Sequence, residues 1–181
     1  MKKLATLTVM GGLLAACDSN PLDEIKNAKI EGYNVTWTAA VEKLSACKPG
    51  TQKWDLQAKR KSNEAAVFEC EMTESAIAPY NDKLEENAKI NASGLGNETV
   101  SNITTAKLIL QITHWRDTEN GLLSEFDPRI TIQYSRTNEK HEHLRTEKKY
   151  INDKELVEKI IAQNKNPIEQ ILPAPPIILG K

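Results

Sequence analysis

The chain has 181 residues, with 24 lysines and arginines against 25 aspartates and glutamates, and only 5% of its residues are aromatic. That balance lacks the basic stripe that nucleic-acid binding requires, and the aromatic content argues against a large aromatic ligand surface. The length suits one domain, or two small modules sharing one core.

Two lysines, Lys2 and Lys3, follow Met1, and an uncharged stretch runs from Leu4 to Ala16 with Thr6 and Thr8 inside it. A short positive region, an apolar run and small residues before a break predict a secretory signal over residues 1–16. The run is too short for a bilayer-spanning helix, which takes about 20 residues. The segment ends Leu14-Ala15-Ala16-Cys17, which resembles the lipobox of bacterial lipoproteins. The resemblance implies cleavage before Cys17, a diacylglycerol on its thiol and often an acylated new amino terminus. The lipid bilayer is then the first partner, held through acyl chains worth about 0.8 kcal/mol per buried methylene. The competing reading is an ordinary signal peptide with a chance cysteine. Asp18 resembles the inner-membrane retention signal of enterobacteria-like envelopes. It leans the expectation toward the inner membrane facing the periplasm, with the outer membrane left open.

Without residues 1–16 the chain keeps 165 residues, and losing Lys2 and Lys3 leaves 22 basic against 25 acidic side chains, a formal charge of −3. With Cys17 assigned to lipid, Cys47 and Cys70 remain. An even pair in an exported domain is most simply a disulfide, worth about 3 kcal/mol in the chain-entropy model. The alternative is a redox or metal pair, but there is no Cys-x-x-Cys and neither cysteine has a histidine close in sequence.

Residues 17–32 read as the lipidated N-terminus and a short tether, since Pro21 and several polar residues discourage early packing. Thr36 can cap a helix, with Trp37, Val41 and Leu44 at helical spacing, and Lys48-Pro49-Gly50 ends it. Lys53–Ala58 alternates as a half-buried strand does. Lys59–Glu64 is a charged turn, and Ala65–Met72 is a second strand with Val67 on one face and Phe68 and Cys70 on the other.

This first third resembles a module of small exported proteins and lipoproteins of proteobacteria. The resemblance is carried by Gly32-Tyr33-x-x-Thr36, a helix with Ala40, then Cys47, Trp54 and Val67-Phe68-Glu69-Cys70, about 40 residues over 32–72. It implies a fold and no activity.

Thr73 starts a helix through Ile90 that Pro79 is expected to kink or restart, and Asn91–Thr99 is a loop. Thr105–Trp115 is the clearest strand, with Leu108, Leu110 and Ile112 on one face and Ile109 and Trp115 on the other. After a turn at Asp117–Gly121, Arg129–Ser135 is another strand with Ile130, Ile132 and Tyr134 aligned, and extended polar chain continues through Lys149. Asn152, with Glu155 at capping-box spacing, begins the last helix, whose stripe is Leu156, Val157, Ile160 and Ile161. Residues 167–181 hold four of the eight prolines and read as a tail that lies extended along the domain or hangs free as a ligand. The fold class is α+β: an antiparallel sheet packed against helices, over a single domain 33–166 that suggests two helix-strand-strand halves.

Three histidines are candidates for chemistry. His141 and His143 fall on one side of a strand, and with His114 from a neighbouring strand they form a candidate three-histidine metal site. Glu139, Lys140, Arg145, Glu147, Lys148 and Lys149 surround the pair, so a solvated polar edge is the plainer reading, and no metal or cofactor is expected. There is no Gly-x-Ser-x-Gly elbow, no Ser-x-x-Lys and no phosphate loop; Gly94-x-Gly96 is a lone flexible pair and Glu85-Glu86 a helix exterior. No catalytic residue stands out. The composition therefore favours a non-catalytic envelope lipoprotein that binds a protein partner or assists envelope assembly, over a small metal-dependent or hydrolytic envelope enzyme.

Overall fold

Alternation of apolar residues builds the sheet. In the computed structural model, which describes residues 20–60, 63–92, 102–116, 123–137 and 143–172, five strands form one sheet: β1 (Lys53–Arg60), β2 (Asn63–Glu71), β3 (Asn102–Arg116), β4 (Leu123–Thr137) and β5 (His143–Ile151). Their spatial order is β1-β2-β3-β4-β5, and every pair is antiparallel. Five helices accompany them: α1 (Pro21–Asn27), α2 (Trp37–Glu42), α3 (Glu74–Ala92), α4 (Lys154–Ala162) and α5 (Pro167–Ile171). The fold is α+β.

One face of the sheet carries the core. Phe68 and Cys70 on β2, Leu108, Leu110 and Ile112 on β3, and Ile130, Ile132 and Tyr134 on β4 share that face and are all buried. The helices meet them with Ile25, Trp37, Val41, Ile77, Tyr80, Val157, Ile160, Ile161 and Ile168. The strand alternation read from the sequence is therefore the alternation of the fold. Thr36 caps α2 as expected, its Oγ1 accepting from the Ala39 N–H at 3.3 Å.

Cys47 and Cys70 form a disulfide, with Cα atoms 5.6 Å apart. A bridge between Cys47 and Met72 runs beside it, so the segment after α2 is fixed to the end of β2. Gly50 takes a positive φ of 79° in the turn that follows, a conformation a residue without Cβ adopts freely.

Several boundaries differ from the sequence expectation. Residues 20–32 are packed rather than a tether: Asn20 caps α1 through its side chain, Pro21 opens the first turn, and Ile25 and Ile30 are fully buried. Burial of two isoleucines outweighs the polar composition around them. The domain therefore begins before residue 33. It also runs past residue 166, because Asn166 caps α5, Pro167 sits in its first turn where a missing N–H costs nothing, and Ile168 and Leu172 are buried. Residues 173–181, the rest of the expected tail, lie outside the described residues.

Other differences are local. The helix α2 stops at Glu42, short of Lys48. The strand β2 starts at Asn63, inside the expected charged turn, and Lys61 and Ser62 lie outside the described residues. Helix α3 runs unbroken through Pro79; the proline leaves Ser75 without its helical donor, and Ser75 is exposed to water. β4 reaches back to Leu123, and Pro128 sits where β4 pairs only with β3, since β5 joins at Ile130. Asp153, not Asn152, caps α4, its Oδ1 accepting from the Leu156 N–H at 3.0 Å. The expected loop at Asn91–Thr99 is helix to Ala92, and its remainder, like the turn at Asp117–Gly121, falls outside the described residues.

Candidate functional site

The second face of the sheet carries no helix of the described residues. Ala65, Val67 and Thr113 on that face are buried, yet Ala65 and Val67 stand apart from the main core cluster. Gln111 donates from its amide to Thr113 Oγ1 at 3.2 Å, and Ile109, Thr131 and Gln133 lie half-buried beside them. These central positions carry no charge. Charges lie around them, with Lys53 and Asp55 on β1, Glu69 and Glu71 on β2, Lys107 on β3, Glu125, Asp127 and Arg129 on β4, and Lys148 on β5. Lys107 pairs with Glu69, and Lys48 with Glu71 at 3.7 Å.

Two large hydrophobic side chains are exposed among the described residues, Trp115 at 45% and Tyr150 at 64%, and both lie on this face. The Arg129 guanidinium stands 5.4 Å from the Tyr150 ring centre. An uncharged centre, a charged rim and exposed Trp and Tyr form the composition of a protein-binding surface.

A cleft of about 790 Å³ opens at one end of this face, where α3 begins. Its floor is Met72, Ile77 and Ala106, and its walls carry the hydroxyls of Thr73, Ser75, Thr104, Thr105 and Ser135, the Gln133 amide, and both members of the Lys48–Glu71 pair. Thr73 caps α3, accepting from the Ala76 N–H at 3.2 Å. The cleft offers hydrogen bonds of both polarities and no nucleophile–base pair.

A smaller pocket of about 480 Å³ lies between the α1–α2 connection and α4, lined by Glu31, Gly32, Tyr33, Lys154, Glu155, Glu158 and Lys159. Lys154 donates to Glu31 at 2.6 Å and lies 3.7 Å from Glu125. The hydrogen bond from Lys154 holds the Glu31 carboxyl below its ordinary pKa and raises that of the lysine. Glu158 is only 5% exposed, and burial pushes its carboxyl up. This cluster ties the first segment of the domain to α4 and β4. On the helix side of β4, Tyr134 donates to Glu147 at 2.6 Å, and burial raises the phenol's pKa.

The candidate histidines do not converge. His114 lies on β3 facing the core, 1% exposed, stacked on Phe126 with ring centres 4.7 Å apart. Its register partners are Glu64 and Phe126, whereas His143 pairs with Thr137, which lies opposite Asn102 at the other end of β3. Twelve residues of strand separate the two rows, roughly 35–40 Å. His141 lies outside the described residues, so the register separates His114 and His143. The three-histidine site is thus corrected by the register: the alternation that put the rings on strands did not fix which ends of the strands adjoin. Among the described residues no group of three potential ligands gathers to hold a metal ion. Cys17 lies outside the described residues. Glu85 and Glu86 are exposed on α3, as expected, and Glu85 accepts from Asn102 at 3.0 Å.

Sequence reasoning placed Trp115 opposite Leu108 but attached no role to it, and passed over Tyr150. For Trp115 the signal was available, an aromatic residue out of phase with the buried Leu108, Leu110 and Ile112 of its own strand; β5, with Lys149 and Glu147 on the phase opposite Tyr150, gives no such signal. No family model matches the chain, and no curated protein or solved structure matches it either.

Proposed function

We propose that this chain is a membrane-anchored lipoprotein of the bacterial envelope whose folded part binds a protein partner and carries out no catalysis. The observation that carries the binding role is the sheet face that no helix of the described residues covers, with its uncharged centre on β2–β4, its charged rim and the exposed Trp115. The hydroxyl-lined cleft at the start of α3 adjoins it and suits an inserted side chain of the partner. The anchoring role rests on Lys2-Lys3, the apolar run and Leu14-Ala15-Ala16-Cys17. Three residues after Cys17 comes Asn20, the cap of a helix that packs on the core through Ile25, and three residues reach at most about 11 Å. A lipidated Cys17 holds the domain flush against the bilayer, so the partner lies at or near the membrane. The scattered histidines lend nothing to a metal-dependent enzyme.

The test is crosslinking in the chain's own envelope with a photoreactive side chain at Thr131, followed by affinity purification and palmitate labelling. A reproducible protein adduct that Trp115→Ala abolishes, on a chain that takes up palmitate only while Cys17 is present, is expected. Absence of palmitate on the wild-type chain overturns the anchor, and an adduct indifferent to Trp115→Ala overturns the surface.

A further inference from the structure

We propose that β1, one edge of the sheet, pairs antiparallel with β1 of a second copy of this chain, centred on Trp54, so that two five-stranded sheets become one continuous sheet. This goes beyond the partner-binding role and does not depend on it.

The first argument is which backbone groups are open. β1 and β5 are the two edges of the sheet among the described residues, and an edge presents a row of N–H and C=O groups to any strand that arrives. On β2, the Glu71 N–H donates to Thr51 Oγ1 at 3.1 Å and the Glu71 carbonyl accepts from the Lys48 N–H at 2.7 Å, whereas the Met72 N–H donates to Ala106 at the β3 side at 2.8 Å. The odd-numbered residues of β2 therefore address β1. Their register partners Lys53, Asp55 and Gln57 commit their backbone groups to that ladder, and Trp54 and Leu56 point theirs outward. Leu56 shows this directly, because its N–H donates to the Asp55 side chain at 2.9 Å rather than to a strand.

The second argument is charge. Two copies related by a two-fold axis through this edge set one residue against its own counterpart. β1 bulges between Ala58 and Arg60, which leaves centres from Lys53 to Leu56. Centring on Lys53 or on Asp55 opposes like charges, which is destabilising. Centring on Leu56 sets Lys53 against Lys59. Centring on Trp54 sets the exposed Lys53 against the exposed Asp55 of the second copy, twice by symmetry, with Trp54 against Trp54 and Leu56 against Gln52. Trp54 and Leu56 are half-buried, so the added strand completes their cover. The opposite edge is guarded: Glu147, Lys148 and Lys149 follow one another on β5 and place charge on both of its faces, a pattern that discourages edge pairing.

The third argument is placement. Helix α1 packs on β1 and β2 from the helix side of the sheet. An axis perpendicular to the sheet keeps both copies of α1 on that side, as two chains anchored in one bilayer ahead of α1 require.

The test uses the full chain in detergent micelles, as an equal mixture of unlabelled and heavy-isotope-labelled copies, joined by a zero-length carbodiimide and read by mass spectrometry. A Lys53–Asp55 crosslink that carries one copy of each label is expected. Association is then followed by energy transfer between donor- and acceptor-labelled copies. Lys53→Glu and Asp55→Lys, each checked by circular dichroism for an unchanged fold, are expected to weaken association at least about tenfold, because each turns two attractive pairs into repulsive ones. The double variant, Lys53→Glu with Asp55→Lys, opposes unlike charges again and is expected to return to within about threefold of the wild type. A monomer at every concentration overturns the proposal, as do crosslinks confined to one isotope. Association indifferent to the single reversals overturns it by moving the contact to another surface. A double variant no tighter than the single ones overturns the register.

Discussion

The two faces of the sheet are made by the same strands yet obey different rules. On the helix side, neighbouring residues of β2, β3 and β4 interlock with five helices, and Leu108, Leu110, Ile112, Ile130 and Ile132 have no exposure at all. On the other side, one residue along in each strand, the same backbone presents Ile109, Gln111, Thr131 and Gln133 half-buried in the open. The contrast teaches where stability and recognition reside. The covered face is filled until nothing can be removed without leaving a void, while the second face is uncharged at its centre and can lose atoms to solvent at the half-buried Ile109, Gln111, Thr131 and Gln133, with Ala65, Val67 and Thr113 its buried positions.

The sharpest test of that contrast uses adjacent residues of β3. Leu110→Ala is expected to destabilise the fold by about 2–5 kcal/mol, the transfer and cavity cost of a buried leucine. Ile109→Ala is expected to cost under about 1.5 kcal/mol, because solvent fills what the side chain leaves. Equal losses in denaturant titrations would mean that the second face is covered too.

Next in size is the disulfide that pins the covered face at its β2 end. Replacing both Cys47 and Cys70 with serine is expected to remove about 3 kcal/mol, from releasing a loop with a separation of 23 residues. The midpoint of chemical unfolding, compared with and without reductant, checks this; a shift in the double variant on adding reductant would break the assignment.

The smallest effect concerns Glu158, whose carboxyl is buried in the helix layer. Its folded pKa lies above the ordinary 4.5 because burial disfavours the charge. The unfolded chain therefore releases this proton more readily, and the charge penalises folding at neutral pH. As pH falls through the raised value toward 4.5 the penalty disappears. Glu158→Gln is thus expected to raise the melting temperature at pH 7 and to give no gain at pH 4. Glu31 acts in the opposite sense: its pKa is lowered by Lys154, so its contribution is present above 4.5 and is lost as pH falls through the lowered value.

The sheet was legible because its signal is local. Phe68, Leu108, Leu110, Ile112, Ile130 and Ile132 alternate with residues that are polar except at Val67 and Ile109, and period-two burial leaves little freedom. Helix-terminal chemistry was half legible: Thr36 caps α2 as read, whereas the cap of α4 lies one residue later because Ile151 still belongs to β5. The ends of the domain were not legible. Ile25 and Ile168 sit in short segments, each paired with only one or two apolar neighbours (Leu22; Ile171 and Leu172) among polar residues and prolines, and only the completed layer of helices gives them somewhere to be buried. The histidine site failed for a related reason. Strand residues can be assigned to a face from their own neighbours, but which rows adjoin depends on the long hairpin between β3 and β4.

The strand order has a consequence for how the chain folds. Each strand pairs with the strand before it; β1–β2, β3–β4 and β4–β5 can close as hairpins, whereas β2–β3 closes across the 30 residues, 72–101, that hold α3. The helical layer closes differently: Asn164 accepts from the Ser45 N–H at 2.7 Å, and Asn166 donates to the Ala76 carbonyl at 2.8 Å, across 119 and 90 residues of chain. Those long-range locks all belong to the last segment, residues 154–172. Long-range closure is slow compared with local pairing, so a growing or truncated chain that lacks α4 and α5 leaves the helix side of β4 and β5 without the cover of Val157, Ile160, Ile161 and Ile168. The interval before α4 and α5 arrive is the period in which that apolar surface is open to aggregation.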